Sequence, residues 1–225
     1  FGASGAAYAA DADRAIAALE EARFGTAAWM VDTGFTSNGL INPPADYVRA
    51  VAEKVHAAGG LVIADEVQFG FARSGSHFWG FDTHGLVPDI VTMGKPVGNG
   101  HPLGVIVTRP EILAKFAKQS NYFSTFGGNP VSAAAGLAVL DVIEREQLRE
   151  NALTTGALTL RKLVALTERH PAIGDVRGWG LKFGVEIVSD RARKTPDKAA
   201  TRLIANGLRA RGVLVGTEGV LANVL

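Results

Sequence analysis

The chain has 225 residues, 47% hydrophobic and 20% charged, a composition typical of a globular protein with a sizeable core. Lys and Arg outnumber Asp and Glu by only 23 to 22, so net charge gives no reason to expect nucleic acid or an anionic membrane as a partner. No stretch approaches the roughly 18 apolar residues of a membrane helix. Cysteine is absent, which excludes disulfides and thiolate metal sites, and the five histidines lack metal-ligand spacing. We expect no metal site and a cytoplasmic location.

Helical and strand patterns alternate along the first half of the chain. Helical spacing covers Asp11–Arg23 and a segment from Pro43 to His56. Short apolar strands are predicted at Thr26–Thr33, Leu61–Ala64, Asp89–Met93 and Gly104–Thr108. Continuously apolar strands that alternate with helices favour an α/β domain whose mainly parallel sheet is covered on both faces.

The pattern changes after Pro130. A long helical pattern, Val131–Arg169, is expected to break near Glu146–Gln147, and β-like segments follow over Ile173–Val188. A further helix is predicted at Pro196–Arg211. We therefore divide the chain into two domains, residues 1–140 and residues 141–225, the second a smaller α+β unit.

The ends of the sequence are unusual for a complete protein. The first residue is Phe1 and not Met, and the last six residues, VLANVL, have a strand pattern that stops at the terminus. We expect the chain to be a fragment of a longer protein.

Two charged residues follow predicted strands. Asp65 closes one strand, and Lys95 follows another, among Gly94, Gly98 and Gly100. Ligands of open α/β sheets bind just beyond the carboxyl ends of the strands. A lysine at a strand end can also simply extend to water, and Asp65 could be a helix cap or a structural ion-pair partner. A carboxylate at that depth needs a cationic neighbour, supplied by protein or ligand.

Four ordered motifs carry a resemblance to a known family. They are DEVQFGFARSG at 65–75, PDIVTMGK at 88–95, TFGGNP at 125–130 and RGWGL at 177–181. In these motifs the chain resembles the class III aminotransferases, the ω-transaminase branch of the fold-type I pyridoxal-phosphate (PLP) enzymes. The resemblance implies a large α/β domain with a mainly parallel sheet and a smaller α+β C-terminal domain. Residues 1–140 would be the C-terminal part of the PLP-binding domain, and residues 141–225 a truncated small domain.

The resemblance also implies a role for each site residue. Lys95 would form the internal aldimine with PLP and act as the base at the substrate Cα, and Asp65 would keep the pyridine nitrogen protonated. Val67 would pack under the ring, and Gln68 would hydrogen-bond its hydroxyl. Thr125 would donate to the cofactor phosphate across a dimer interface, so a homodimer with a shared active site is implied. For Gln68 and Thr125, turn residues satisfied by backbone are the alternative.

The implied reaction is amino-group transfer from an amino acid or amine to a 2-oxo acid. The segments SHFWGF at 76–81 and TMGKPVGNGHP at 92–102 are most similar to two subgroups, the alanine–glyoxylate aminotransferases and the ethanolamine-phosphate phospho-lyases. A phospho-lyase acting on ethanolamine phosphate or a similar amine is therefore the first alternative. A non-catalytic module with the PLP fold is the second.

Two of the chain's departures from the family pattern bear on the site. No convincing copy of the loop that binds the cofactor phosphate is present, and Asp32 stands where relatives usually have Glu. We expect Arg177 to be structural, bracing the Gly-rich turn of the RGWGL motif, and not to bind substrate. The aromatic residues His77, Phe78, Trp79 and Phe81 are expected to pack together, with one ring as a candidate for the substrate entrance.

Overall fold

The computed structural model describes residues 4–225, which form two compact units. The first unit includes the chain up to Thr33 and the segments Pro43–Phe71 and Phe78–Gln147. The second unit consists of Gly34–Asn42, Ala72–His77 and Leu148–Leu225. Two loops from the first third of the chain thus belong to the second unit, a grouping that no feature of the linear sequence indicates.

The first unit is built around a four-stranded sheet. Its strands, in spatial order, are Ala28–Asp32 (β1), Leu61–Asp65 (β2), Ile90–Met93 (β3) and Val105–Thr108 (β4). The first three strands are parallel, and β4 is antiparallel to β3. Its helices are Gly5–Glu21 (α1), Tyr47–Ala57 (α2), Lys95–Gly98 (α3), Pro110–Gln119 (α4) and Pro130–Arg145 (α5). The predicted α/β class with a mainly parallel sheet is confirmed.

Helix α2 covers one face of this sheet. Its buried residues, Val48, Val51, Ala52 and Val55, follow the spacing of a single helical face. The helix contacts β1 and β2, where Val62 and Ala64 are fully buried. Full burial of a valine side chain stabilises the fold by about 1.5–3 kcal/mol. This face is the core of the first unit.

The opposite face of the sheet is more open. Met30 is 56% exposed and Ile106 is 69% exposed, and the strand register places both on the face that carries Asp65. Among the described residues, the sheet is covered on the α2 face only. The expectation of a sheet covered on both faces is therefore confirmed for one face.

The second unit combines two helices with a small antiparallel sheet. The helices are Leu148–Leu166 (α6) and Lys198–Arg209 (α7), and the strands are Ile173–Trp179 (β5), Lys182–Asp190 (β6) and Thr195–Pro196 (β7). The strands follow one another in the sheet, each antiparallel to the next. Helix α7 begins where the Asp197 side chain accepts a hydrogen bond from the Ala200 amide, an N-cap.

Arg177 braces this second unit. Its guanidinium donates to the carbonyl oxygens of Gly39 and Leu40 at 2.7–3.0 Å and forms ion pairs with Asp175 at 2.6 Å and Glu186 at 2.7 Å. The expected structural role of Arg177 is confirmed, although the turn that it holds is the one at residues 39–40.

Several element boundaries differ from the sequence prediction. Helix α1 begins at Gly5 because the Ser4 hydroxyl caps it, accepting from the Ala7 amide at 3.3 Å. The predicted break near Glu146–Gln147 is confirmed, since it separates α5 from α6. Helix α4 was not predicted. The terminal strand pattern at residues 220–225 yields only isolated bridges at Val224.

Two kinds of feature are absent from residues 4–225. No helix in residues 4–225 is long and apolar enough to cross a membrane. Within the same residues, no three His, Cys, Asp or Glu side chains are grouped in a way that could hold a metal ion.

Candidate active site

Asp65 and Lys95 lie at the same edge of the first unit's sheet. Asp65 is the last residue of β2, and Lys95 begins α3 two residues after the end of β3. The two strands are adjacent and parallel, with Asp65 opposite Thr92. Their carboxyl ends therefore meet at one edge, where α/β sheets bind ligands.

The Asp65 carboxylate is oriented by its own backbone turn. Its Oδ1 accepts a hydrogen bond from the Val67 amide at 3.0 Å, the pattern of an Asx turn. The intervening Glu66 amide donates to the Thr92 carbonyl at 2.8 Å. Both bonds fix the chain just beyond β2, and Asp65 remains only half-buried.

Val67 connects this turn to the lysine segment. A Cβ added at Gly94 would lie 3.3 Å from Val67 Cγ2, so the Val67 side chain stands against the backbone of the residue that precedes Lys95. The Lys95 side chain itself is exposed. The structure thus brings together three of the five predicted site residues: Asp65, Val67 and Lys95.

Gln68 and Thr125 are placed differently. Gln68 is half-buried in the turn that follows β2, two residues beyond Glu66. Thr125 is exposed in the loop between α4 and α5, and no hydrogen bond among residues 4–225 joins it to the other four. Their roles stay predictions.

A hydrogen-bonded group anchors the loop that carries Thr125. His101, beyond the lysine turn, lies 2.8 Å from the Ser132 hydroxyl through its Nε2. Asn129 donates to the same hydroxyl at 3.0 Å and to the Phe126 carbonyl at 2.7 Å. The start of α5 is therefore tied to the segment that follows Lys95.

Glu66 is a residue of this edge that the sequence analysis overlooked. Its side chain is fully buried. Oε1 accepts from the Thr33 hydroxyl at 2.9 Å and the Phe81 amide at 2.8 Å, and Oε2 accepts from the Gly80 amide at 2.8 Å. Burial raises the pKa of Glu66, the nearby Asp32 charge raises it further, and the three hydrogen bonds oppose that shift. A carboxylate directly after a buried strand is the sequence signal that could have identified it.

The aromatic residues before β3 form a packed cluster. Phe78 and Trp79 meet edge to face with ring centroids 4.7 Å apart, and both contact Phe71 at about 5.5 Å. Trp79 stacks with Phe81 at 6.1 Å. Such pairs add about 0.5–1.5 kcal/mol beyond their area burial. The expectation that these rings pack together is confirmed for Phe78, Trp79 and Phe81. It is wrong for His77, which is exposed and whose Nδ1 lies 2.9 Å from the Ser76 hydroxyl.

His84 gives the first unit a pH-dependent stability. Burial lowers the pKa of His84 below its ordinary value of 6.5, and its Nε2 lies 2.7 Å from the Thr33 carbonyl oxygen, to which it donates. The unfolded chain therefore binds a proton near pH 6.5 that the folded chain does not. We predict that the contribution of neutral His84 to the free energy of unfolding is fully present above pH 6.5. It is lost as the pH falls below that value.

The matched variant is His84→Gln, whose amide can donate to Thr33 without titrating. Urea unfolding of both proteins across this pH range should show a weaker pH dependence for His84→Gln. Identical pH profiles would contradict the assignment of this pH-dependent stability to His84.

Comparisons with known proteins agree with this geometry. Residues 4–224 match the family model described as aminotransferase class-III. The chain is 49% identical over 228 residues to alanine–glyoxylate aminotransferase 2 homolog 2, mitochondrial, of Arabidopsis thaliana, covering 100% of this chain and 46% of that protein. It is 44% identical over 186 residues to the human mitochondrial alanine–glyoxylate aminotransferase 2, covering 82% of this chain and 36% of that one.

Solved structures of related enzymes are also similar to this chain. A phospholyase from Arthrobacter in complex with phosphoethanolamine superposes with a TM-score of 0.92 at 44% identity, covering 96% of this chain and 51% of its own. A PLP-bound amine transaminase from an uncultivated Pseudomonas species has a TM-score of 0.82 at 36% identity, with coverages of 95% and 50%. The chain spans about half the length of these relatives. It has the fold of the PLP-dependent fold-type I enzymes and belongs to the class III aminotransferase family.

Proposed function

We propose that the protein is a PLP-dependent aminotransferase that moves an amino group from an amino acid or amine to a 2-oxo acid. The observation that carries this proposal is the proximity of Asp65, Val67 and the Gly94–Lys95 turn at the carboxyl edge of adjacent parallel strands. A carboxylate, an apolar side chain and a lysine at one strand edge are the groups that the family resemblance requires. Family membership supports the same chemistry.

Each site residue has a distinct proposed role. Lys95 would hold the cofactor covalently through Nζ, and its free amine would take the proton from the substrate α-carbon. Asp65 would stabilise the protonated pyridine nitrogen, Val67 would pack against the ring, and Gln68 would hydrogen-bond the ring hydroxyl. When bound, PLP supplies an electron sink for the charge that develops at the α-carbon.

The residues at this edge fit a ligand with a cationic ring nitrogen. Asp32 and Asp65 are register partners on neighbouring strands, and Glu66 follows directly. Like charges opposite each other in a sheet repel, so a cation beside Asp65 is stabilising. The Thr92 hydroxyl, in the same cross-strand row, is buried and has no hydrogen-bond partner among the described residues.

We further propose that the active protein is a homodimer in which Thr125 of one chain donates to the cofactor phosphate held by the other. Thr125 is exposed, and its neighbours Tyr122, Phe123 and Phe126 are 72%, 84% and 81% exposed. Aromatic side chains are enriched at protein interfaces, and contiguous exposed apolar groups mark interaction surfaces. This loop is therefore the proposed contact with the second chain.

The experiment that tests the proposed function is borohydride trapping. The protein at its native length is incubated with PLP, reduced and digested, and the peptides are searched for a pyridoxyl mass. We predict one adduct, on the peptide that contains Lys95, because reduction fixes a cofactor held through Nζ. A sample reduced without PLP is the control. An adduct on another lysine, or none, would contradict the proposal.

A phospho-lyase is the second candidate. The similarity to the Arthrobacter phospholyase, whose structure contains phosphoethanolamine, favours it. Lys95 and Asp65 would serve both reactions, because both begin with deprotonation at the α-carbon. The same preparation should therefore be assayed with ethanolamine phosphate. Release of phosphate without consumption of a 2-oxo acid would select the lyase, whereas consumption of the 2-oxo acid alone would select the aminotransferase.

A non-catalytic module is the third hypothesis, and the presence of both Lys95 and Asp65 counts against it.

The cytoplasmic location stays a prediction from composition. The names of the plant and human relatives include the word mitochondrial.

A further inference from the structure

We propose that Glu66 is a positioning residue for this site: its carboxylate fixes the chain after β2 and so sets the direction in which Asp65 and Val67 face the cofactor. The inference rests on the proposed function, in which Asp65 and Val67 contact the ring. Glu66 itself is fully buried and acts only through its neighbours.

Three groups from two separate segments donate to the Glu66 carboxylate. The Thr33 hydroxyl belongs to the residue after β1, and the Gly80 and Phe81 amides belong to the loop before β3, all at 2.8–2.9 Å. The backbone of Glu66 is also bound, to the Thr92 carbonyl through its amide at 2.8 Å and to the Gly70 amide through its carbonyl at 3.2 Å. One residue thus joins the carboxyl ends of β1, β2 and β3.

The position of Glu66 in the chain makes this arrangement relevant to the site. It lies between Asp65 and Val67, and the bond from the Val67 amide to Asp65 Oδ1 spans it. A displacement of Glu66 therefore moves both neighbours together. Displacements of about 1 Å in a site can cost roughly a hundred-fold in rate.

The Glu66 carboxylate is closely surrounded. A Cβ added at Gly80 would overlap the Thr33 hydroxyl and lie 3.1 Å from Glu66 Oε1. All three neighbours donate to Glu66, and an ionised carboxylate can accept on both oxygens. A glutamine of the same shape must direct its NH2 group at one of these donors. Glu66→Gln therefore loses at least one hydrogen bond and gains a donor–donor contact without a change of volume.

The test compares Glu66→Gln with Asp89→Asn, a matched control. Asp89 is another buried carboxylate, with His56 and the Val62 amide each 2.7 Å away and Arg109 at 3.0 Å. It braces the start of β2, whereas Glu66 braces its end. Both variants should unfold at a lower temperature than the wild type, since each disrupts a buried hydrogen-bonded carboxylate. They differ in their expected effects on the site.

We expect Glu66→Gln to change the visible circular dichroism of bound PLP and to lower kcat roughly ten- to a hundred-fold with KM little changed. Hydrogen exchange in the cofactor-free protein should accelerate in the peptides that cover residues 65–68. Asp89→Asn should change neither the dichroism nor kcat. If Glu66→Gln fails to fold, Thr33→Val removes a single donor to the same carboxylate and should give smaller effects of the same sign.

Two results would overturn the inference, and they are distinguishable. If the wild type takes up PLP on Lys95 but Glu66→Gln keeps the wild-type dichroism and kcat, Glu66 is only a structural residue and the proposed function stands. If the wild type takes up no PLP, the proposed function fails, and the positioning role fails with it.

Discussion

Lys95→Ala is expected to abolish both covalent attachment of PLP and amine transfer. The substitution removes the only Nζ that the proposal provides at the carboxyl edge of β2 and β3. Loss of a general base alone costs roughly 10²- to 10⁴-fold in rate, and loss of covalent attachment adds to this. The fold should persist, because the Lys95 side chain is exposed. The measurement is turnover of an amino donor and a 2-oxo acid, together with the absorbance of bound PLP.

The matched control is Lys162→Ala, which removes an exposed lysine of α6 in the second unit and should leave both readouts at wild-type values. A small primary amine added to Lys95→Ala should restore part of the turnover, because it can take the proton in place of Nζ. Amine transfer by Lys95→Ala at the wild-type rate, without added amine, would refute the proposed role of Lys95.

The positions of Asp65 and Lys95 could be predicted from sequence because they follow from strand direction alone. Two continuously apolar segments alternating with helices predict parallel neighbours, and parallel neighbours have their carboxyl ends together. The β2–β3 register confirms this adjacency. The assignment of PLP chemistry to that edge came from the family motifs, not from the strand pattern.

The sequence marks Glu66 as a carboxylate after a buried strand, but its hydrogen-bonding role could not be predicted. Its importance depends on donors at Thr33 and at Gly80–Phe81, which are distant in sequence and meet Glu66 only after the fold has formed. Sequence periodicity reports which face a residue is on, but not its hydrogen-bond partners. Thr125 is the converse case, because its proposed partner belongs to a second chain, and its exposure in a single chain is compatible with that role.

Helix α4 is also missing from the sequence prediction, although the sequence contains a helical pattern at this position. Pro110 stands at the first turn, which is a common helix start, and Ile112, Leu113 and Phe116 have helical spacing. Leu113 and Phe116 are nevertheless 57% and 47% exposed. Helix α4 therefore has an apolar face that the described residues cover only in part.

Asp65→Asn is expected to lower the rate of amine transfer severely while leaving the fold nearly intact. Asparagine can still accept the hydrogen bond from the Val67 amide through Oδ1, so the turn that orients residue 65 should survive. What is lost is the negative charge opposite the pyridine nitrogen. A charge pair at about 4 Å and an effective dielectric constant of about 20 contributes about 4 kcal/mol before desolvation. This limits the loss of rate to roughly a thousand-fold.

Two further variants separate the charge of Asp65 from its structural contribution. Asp65→Ala removes both the charge and the acceptor for Val67, so it should lose activity and also unfold at a lower temperature. Asp141→Asn neutralises an exposed carboxylate on α5 and should change neither. The measurements are kcat and the thermal unfolding of the cofactor-free protein. If Asp65→Asn retains the wild-type kcat, then Asp65 serves only the turn, and the counter-charge at this strand end must be sought among its neighbours, Asp32 first.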